Sequence, residues 1–345
     1  MCHKGSCMVL VGMMLVAALC GMSYAIRIGV GWEYAKDEIL WFDVSDEVLV
    51  AARGDGTISI YKFPSGEPLS KFTIPGGYRH NEVTLAISRG KQPVLAIVRQ
   101  EDINTRVVFY DLLTANALVN KEFPHMMGGY ACGFSADGKA FLWGSLDSVS
   151  CLSVKTGDLL WSSEDDDHMV LIETIPMSDA KGYINLTTNG RVVARSAQGK
   201  ILWEKNGFEA ACWSASAAAL YREEPKAVVG IRLEDGKALW SKDGLAADEL
   251  RAISSDGTKQ AFFTDNSLVI ASLPAKETVR VREVDKPQDM VFSRDGRLLA
   301  CLSELVSASK KDENGSPVTL LKRSSHMLHV VEVRTGKILF KIDLK

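Results

Sequence analysis

Three histidines and one acidic run are the residues whose types could support chemistry in this chain. His80, His125 and His168 fall in polar stretches between apolar runs. The segment SEDDDH leads into the last of them and contains four consecutive carboxylates, Glu164, Asp165, Asp166 and Asp167. Imidazole and carboxylate groups are suitable ligands for zinc and other divalent ions. The three histidines are therefore weak candidates for a metal site.

The acidic run has two further interpretations, which the sequence leaves open. A run of carboxylates is usually a solvated loop that keeps its surface soluble. The functional alternative is a docking site for a basic segment of a partner protein, because complementary charge steers and orients association. We treat the run as part of a candidate partner face.

A second charged segment, ELVSASKKDENGSPVTLLKRSS at 304–325, is a candidate for the same partner face. Its basic residues are Lys310, Lys311, Lys322 and Arg323, around a Gly-Ser-Pro turn. Long loops on a rigid scaffold often carry recognition. A tolerated flexible hairpin is the equally open alternative.

Familiar catalytic motifs are missing from the sequence. It has no G-x-S-x-G elbow, no H-E-x-x-H pair and no glycine-rich phosphate loop. We therefore expect a protein that is not an enzyme and that carries no cofactor.

Two series of short motifs alternate along the chain and predict the elements that must position these residues. The first is a serine-anchored turn after an apolar run, as in FSADGKAFLW and FSRDGRLLACL, and it occurs at Ser45, Ser88, Ser135, Ser178, Ser214, Ser254 and Ser293. The second has a turn, a glycine, an apolar pair and a large aromatic, as in RLEDGKALW and EVRTGKILF. In strong and weak forms its seven copies centre on Gly66, Ala115, Gly157, Gly199, Gly236, Lys276 and Gly336.

Between these turns the chain forms short alternating runs such as TISIYKF and RVVFYDL, which indicate strands. Each unit thus supplies four strands, and seven units of about 46 residues predict a seven-bladed β-propeller of four-stranded antiparallel blades. We expect one all-β domain over 26–345, with an insertion of about 303–325 in the last unit.

The repeats support this fold by resemblance. FSRDGRLLACLS and AARGDGTISIYKFPSGEPL resemble WD repeats, whereas TGDLLW, QGKILW and DGKALW resemble the repeats of pyrroloquinoline-quinone-type (quinoprotein-like) propellers. The chain departs from the WD pattern, since Tyr61-Lys62 and Tyr110-Asp111 stand where that family has Trp-Asp. It also has no Cys-Cys pair, which quinone-dependent dehydrogenases of similar sequence usually show. The resemblance implies the architecture and leaves the activity open.

The same resemblance bears on two sets of residues. WD repeats place a structural histidine where His125 and His168 stand, ten residues before their serines, so these side chains have a structural interpretation beside the metal one. Trp161, Trp203, Trp240 and Phe340 share one frame, which favours packing against neighbouring blades over ligand stacking.

Residues 1–25 are typical of a secretory signal peptide, with Lys4, an apolar run and Ala25 before the expected cleavage. Lipidation at Cys20 is disfavoured because the bulky Leu19 precedes it. We therefore expect a periplasmic or secreted protein with no transmembrane segment in the mature chain. Four cysteines follow, Cys132, Cys151, Cys212 and Cys301, and their wide spacing favours small buried strand residues over a zinc or redox motif.

These observations together predict a non-catalytic propeller that binds or assembles proteins. The net charge of -3 and pI near 6.1 give no basic field for nucleic acid, so no nucleic-acid partner is expected. The alternative is a propeller enzyme, a quinoprotein-like oxidoreductase or a hydrolase or lyase, with its site at the loop-rich face of the central funnel.

Overall fold

A computed structural model of the chain describes the greater part of residues 39–344. The described ranges are 39–74, 83–89, 92–101, 104–124, 131–144, 148–164, 171–177, 181–187, 190–213, 217–222, 227–243, 250–264, 266–272, 277–284, 287–305, 310–311, 317–318 and 325–344. The expected signal peptide lies outside them and stays a prediction.

The described residues form seven four-stranded antiparallel sheets, which we number as blades 1 to 7 in chain order. Blade 1 contains β1 (Ile39–Val44), β2 (Val48–Arg53), β3 (Thr57–Lys62) and β4 (Pro68–Thr73). Blade 2 contains β5 (Val83–Ile87), β6 (Val94–Glu101), β7 (Asn104–Asp111) and β8 (Asn116–Phe123). Blade 3 contains β9 (Ala131–Phe134), β10 (Ala140–Gly144), β11 (Ser148–Ser153) and β12 (Leu159–Glu164).

The remaining blades repeat this order. Blade 4 contains β13 (Leu171–Pro176), β14 (Gly182–Thr187), β15 (Val192–Ser196) and β16 (Ile201–Lys205). Blade 5 contains β17 (Glu209–Trp213), β18 (Ala217–Arg222), β19 (Ala227–Arg232) and β20 (Ala238–Asp243). Blade 6 contains β21 (Leu250–Ile253), β22 (Lys259–Thr264), β23 (Ser267–Ser272) and β24 (Glu277–Val281). Blade 7 contains β25 (Pro287–Phe292), β26 (Leu298–Leu305), β29 (Ser325–Glu332) and β30 (Ile338–Leu344).

The insertion predicted in the last unit lies between the second and third strands of blade 7. It contains a small hairpin of β27 (Lys310–Lys311) and β28 (Pro317–Val318). The described part of the chain contains no helix that is long and apolar enough to cross a membrane.

The blades stand in a ring with their first strands innermost. First strands contact one another from blade 1 to blade 4 and from blade 5 to blade 7, and β25 of blade 7 contacts β1 of blade 1. The fourth strands are the outer edges of the sheets. The all-β fold and the seven-bladed propeller predicted from the sequence are confirmed.

The core consists of apolar clusters between neighbouring blades, because second and third strands are buried on both faces. One cluster joins Val50 of blade 1 to Leu95 of blade 2. Another closes the ring by joining Leu328 of blade 7 to Phe42 and Phe63 of blade 1. Cys151 and Cys301 belong to such clusters as buried free thiols, and burial raises the pKa of Cys151 to about 12.

The recurring serines fix the turns between first and second strands. The hydroxyls of Ser45, Ser88, Ser135, Ser254 and Ser293 are buried and accept the backbone N–H at or next to the start of the second strand, over 2.8 to 3.2 Å. Ser178 and Ser214 lie outside the described residues. A serine here satisfies a backbone donor that the turn would otherwise leave unpaired.

The recurring glycines fix the turns between third and fourth strands, and each also contacts the preceding blade. Gly66, Gly157, Gly199, Gly236 and Gly336 all have φ between 65° and 79°. A Cβ on Gly236 would lie 2.8 Å from Cδ2 of Trp203 in blade 4. A Cβ on Gly66 would lie 2.6 Å from Cδ1 of Ile342 in blade 7, so the ring closes through the same contact.

Replacement of Gly236 by alanine is expected to destabilise the fold by about 2–4 kcal/mol, since it adds a left-handed backbone penalty to overpacking against Trp203. The matched control is Gly207→Ala, because Gly207 has φ of 75° with no atom within 4 Å of its Cβ position. The control should lose only about 1–2 kcal/mol. Urea unfolding measures the free energy of unfolding of both variants. Equal losses of free energy in the two would show that the contact between blades contributes nothing.

Three serine turns carry an aspartate that should make stability depend on pH. Ser254 Oγ donates to Asp256 Oδ1 over 2.6 Å, and the same pattern recurs at Asp137 and Asp295. Burial acts to raise the pKa of each carboxyl, and hydrogen bonds from the serine hydroxyl and the turn backbone outweigh it, so each pKa lies below its ordinary 3.8.

The stabilisation from these aspartates is present above pH 3.8 and is lost as the pH falls through the lower folded-state pKa values. The urea midpoint should therefore drop between about pH 4 and pH 2, and the drop should be smaller in Asp256→Asn. If the urea midpoints of the wild type and of Asp256→Asn fall by the same amount over this pH range, Asp256 does not contribute to the pH dependence.

Candidate functional site

Most of the charged residues singled out in the sequence lie outside the described residues. These are His80, His125, Asp165, Asp166, Asp167, His168, Lys322 and Arg323. Glu164 ends β12 and is exposed, and Lys310 and Lys311 form β27. The structure therefore does not test the predicted partner face or the weak metal candidates. Within the described ranges, no three His, Cys, Asp or Glu side chains form a group that could hold a metal ion.

The aromatic residues of the fourth strands pack against the following blade, as their frame predicts. Trp203 Nε1 donates to the carbonyl of Leu233 in blade 5 over 3.2 Å. Trp240 Nε1 donates to the carbonyl of Gly257 in blade 6 over 2.6 Å. Trp161 stacks on Tyr183 of blade 4, with ring centroids 5.7 Å apart.

The apolar pair before each aromatic has a role that sequence reasoning missed. In blade 3, Trp161 pairs with Cys151 and Leu159 with Leu152, so Leu160 is the extra residue of a β-bulge. The same bulge occurs in six blades, and its extra residue is always a leucine: Leu69, Leu118, Leu160, Leu202, Leu239 and Leu339. We call these six residues the leucine girdle.

The girdle leucines lie on the outer edge of the propeller and are exposed. Their exposed fractions run from 37% for Leu339 to 55% for Leu160. A bulge leaves its extra residue without a cross-strand partner and bends the strand locally. Exposed leucines scattered singly are ordinary, but large apolar side chains repeated at one fixed position form a surface that needs an explanation.

Blade 6 shows that the leucine and the bulge occur together. There Val279 pairs with Ile270 and Thr278 with Ala271, with no bulge over the described residues. Thr278 is the residue at the leucine position. Each girdle leucine is the third residue after the residue at the turn-glycine position, which is a glycine in five of the six blades and Ala115 in blade 2.

A cavity of about 450 Å³ opens beside the girdle, between blades 3 and 4. Its apolar lining is Leu160 and Trp161 of β12 with Ala140 and Ala197, and its polar lining is Asp137, Lys139, Lys181 and Gln198. The cavity lies at the end of the blades that holds the turns between first and second strands and between third and fourth strands. We call that end the turn face and the cavity the turn-face groove.

The groove joins the most apolar part of the girdle. Leu159 and Leu160 in blade 3 are 46% and 55% exposed, and Ile201 and Leu202 in blade 4 are 43% and 49% exposed. These two neighbouring blades thus each present two exposed aliphatic residues. Girdle and groove together form the candidate binding surface.

A scan against protein-family models gives no match to this chain, and a search of the curated proteins gives no significant match. The fold, with its girdle and groove, is therefore the basis for assigning a function.

The girdle leucines should contribute little to stability. Leu160→Ser and Leu202→Ser are each expected to change the free energy of unfolding by no more than about 0.5 kcal/mol, because the side chains are exposed. Both changes should also weaken retention on a phenyl column. The control Leu233→Ser, at 2% exposure, should cost about 2–5 kcal/mol. A loss above about 1.5 kcal/mol in the girdle variants would assign these leucines to packing.

Proposed function

We propose that this protein is a non-catalytic propeller, periplasmic or secreted, that acts as a protein-binding or assembly scaffold. The leucine girdle is the observation that carries the proposal. A scaffold has no packing reason to expose a leucine at the same position of six outer strands, and exposed apolar surface is a common feature of interaction sites.

Hydrogen bonds within and between blades support a scaffold. The buried serines and their aspartates form turn hydrogen bonds. Tyr183, between blades 3 and 4, donates its hydroxyl to Ser163 over 2.9 Å. Each of these contacts holds a blade together or joins it to the next, which gives the outer surface a rigid base. Rigid elements position a binding surface at low entropic cost.

The finer features of the proposal rest on the sequence. The expectation of export rests on residues 1–25. The turns between third and fourth strands resemble pyrroloquinoline-quinone-type repeats, and the serine turns resemble WD repeats. The acidic run at 164–167 and the basic insertion at 304–325 form a second candidate surface for partners.

Co-purification of the tagged chain from the cells that make it, after mild cross-linking, tests the proposal. Mass spectrometry then identifies captured proteins and any bound ion or small molecule. We expect one protein partner near stoichiometric yield, reduced at least fivefold by the double variant Leu160→Ser/Leu202→Ser.

Variants of the two loop segments serve as comparison, since they test the second surface separately. Partner loss only when 164–168 or 304–325 is altered would keep the scaffold and move its binding surface to the loops. No reproducible partner, together with a stoichiometric ion or cofactor, would overturn the proposal in favour of an enzyme.

A further inference from the structure

The turn-face groove exists because blade 4 departs from a rule that the other described blades follow. The residue directly after the third strand is a buried apolar plug beneath the turn: Phe63, Leu112, Val154, Leu233 and Val333. In blade 4 this residue is Ala197. Its backbone N–H bonds to the carbonyl of Lys181, as that of Val154 does to Lys139. The backbone position is thus retained while the side chain is too small to fill it.

The turn above Ala197 is one residue shorter than in blades 1, 3, 5 and 7. Four residues separate β15 from β16, as four separate β7 from β8 in blade 2, whereas five separate the third and fourth strands in those four blades. A Cβ on Gly199 would meet Ser163 Oγ of blade 3, at 2.9 Å. In blade 5 the equivalent Gly236 instead meets the indole of Trp203. The turn of blade 4 thus does not cover Trp161 in the same way, and Trp161 lines the groove.

The charge around the groove is positive although the whole chain is acidic. Lys139 and Lys181 occupy equivalent positions on adjacent blades and line the groove, and Lys155 and Lys200 stand on the neighbouring turns of the same face. All four lysines are exposed.

The described carboxylates of these turns already have partners. Asp137 accepts from Ser135 and from the backbone of Lys139, and it pairs with Lys139 Nζ over 3.3 Å. Asp158 accepts from Lys121 of blade 2 over 3.1 Å. Among the described residues of these turns, four lysines outnumber two aspartates, which gives a formal excess of positive charge.

We infer that the turn-face groove binds an acidic segment of a partner protein, with one large apolar side chain of that segment seated over Ala197 against Trp161 and Leu160. Carboxylates on either side of that side chain would meet Lys139 and Lys181. This inference rests on the proposed scaffold function and names the partner chemistry for it.

A protein segment fits the groove better than a small molecule does, because exposed apolar side chains also lie outside the cavity. These are Leu159, next to Leu160, and Ile201 and Leu202 in the fourth strand of the next blade. An apolar anchor in a pocket with charged residues at its rim is the usual arrangement of a binding hot spot. The rim lysines should mainly affect the association rate and its salt dependence.

The experiment uses random dodecapeptides displayed on phage, selected on the full purified chain and then measured as labelled synthetic peptides by fluorescence polarisation. We expect selected peptides to carry a large apolar residue flanked by Asp or Glu. Ala197→Leu should weaken their binding at least tenfold, and Ala197→Val should have a smaller effect. Blades 3 and 5 already carry Val154 and Leu233 at this position, so the fold should accept both changes.

Two further variants complete the design. Lys139→Glu/Lys181→Glu should weaken binding at least fivefold and flatten its salt dependence. Leu339→Ser, in the girdle of blade 7, should leave it unchanged. If Ala197→Leu does not fold, as judged by its melting temperature, Leu160→Ser replaces it with an expected fivefold loss.

Three outcomes would each overturn the inference. They are selection of no peptide, selection of peptides without the acidic and apolar pattern, and equal binding of the peptides to the wild type and Ala197→Leu. Binding of a fluorescent small molecule that is lost in Ala197→Leu, with no peptide selected, would also overturn the inference. The scaffold proposal fails separately. If cross-linking still captures a partner with Ala197→Leu, the scaffold stands without this groove, and if the wild type captures none, the scaffold itself fails.

Discussion

The propeller depends on a close approach of backbone to side chain, seen at five blade boundaries of the described chain. There the turn between third and fourth strands enters the preceding blade, and its glycine has both a positive φ and no space for a Cβ, as at Gly236 on Trp203. This contact limits how closely neighbouring sheets approach each other. The aromatic side chain, such as that of Trp203, fills the space between them. Because Gly66 makes the same contact with Ile342 of blade 7, the first and last blades need no special closure.

The leucine girdle follows from the same constraint. The aromatic residue of a fourth strand must point into the boundary, while the turn before it has a fixed length. An extra residue between them is accommodated as a bulge, which in blade 3 turns Leu160 outward and keeps Trp161 inward. The bulge also disrupts the regular edge that another strand could pair with. The outer surface therefore presents separate apolar side chains, which suits side-chain recognition better than strand addition.

The sequence predicts the parts of this structure that repeat. Seven serine turns alternate with seven turns between third and fourth strands. Together they predict the number of blades, the four strands of each blade and the inward-facing aromatic residues. Alternation alone could not predict the exposure of Leu160, because a single extra residue in a strand exchanges the faces of all residues beyond it. The sequence could not predict the groove either. Ala197 stands out as a departure only after the turns of the described blades are matched by their backbone hydrogen bonds. The predicted loop residues, such as His125, lie outside the described ranges.

Departures from a repeat carry more functional information than the repeat itself. The plug, the turn glycine and the turn serine each have a packing role where they occur, so their recurrence says nothing about binding. Blade 4 has Ala197 in place of the larger plug of the other described blades, although a leucine or valine there would fill part of the groove. Proteins break such local rules chiefly at functional sites, where the lost stability is offset elsewhere. That cavity, lined by Lys139, Lys181 and the most exposed girdle leucine, Leu160, is the departure for which packing gives no reason.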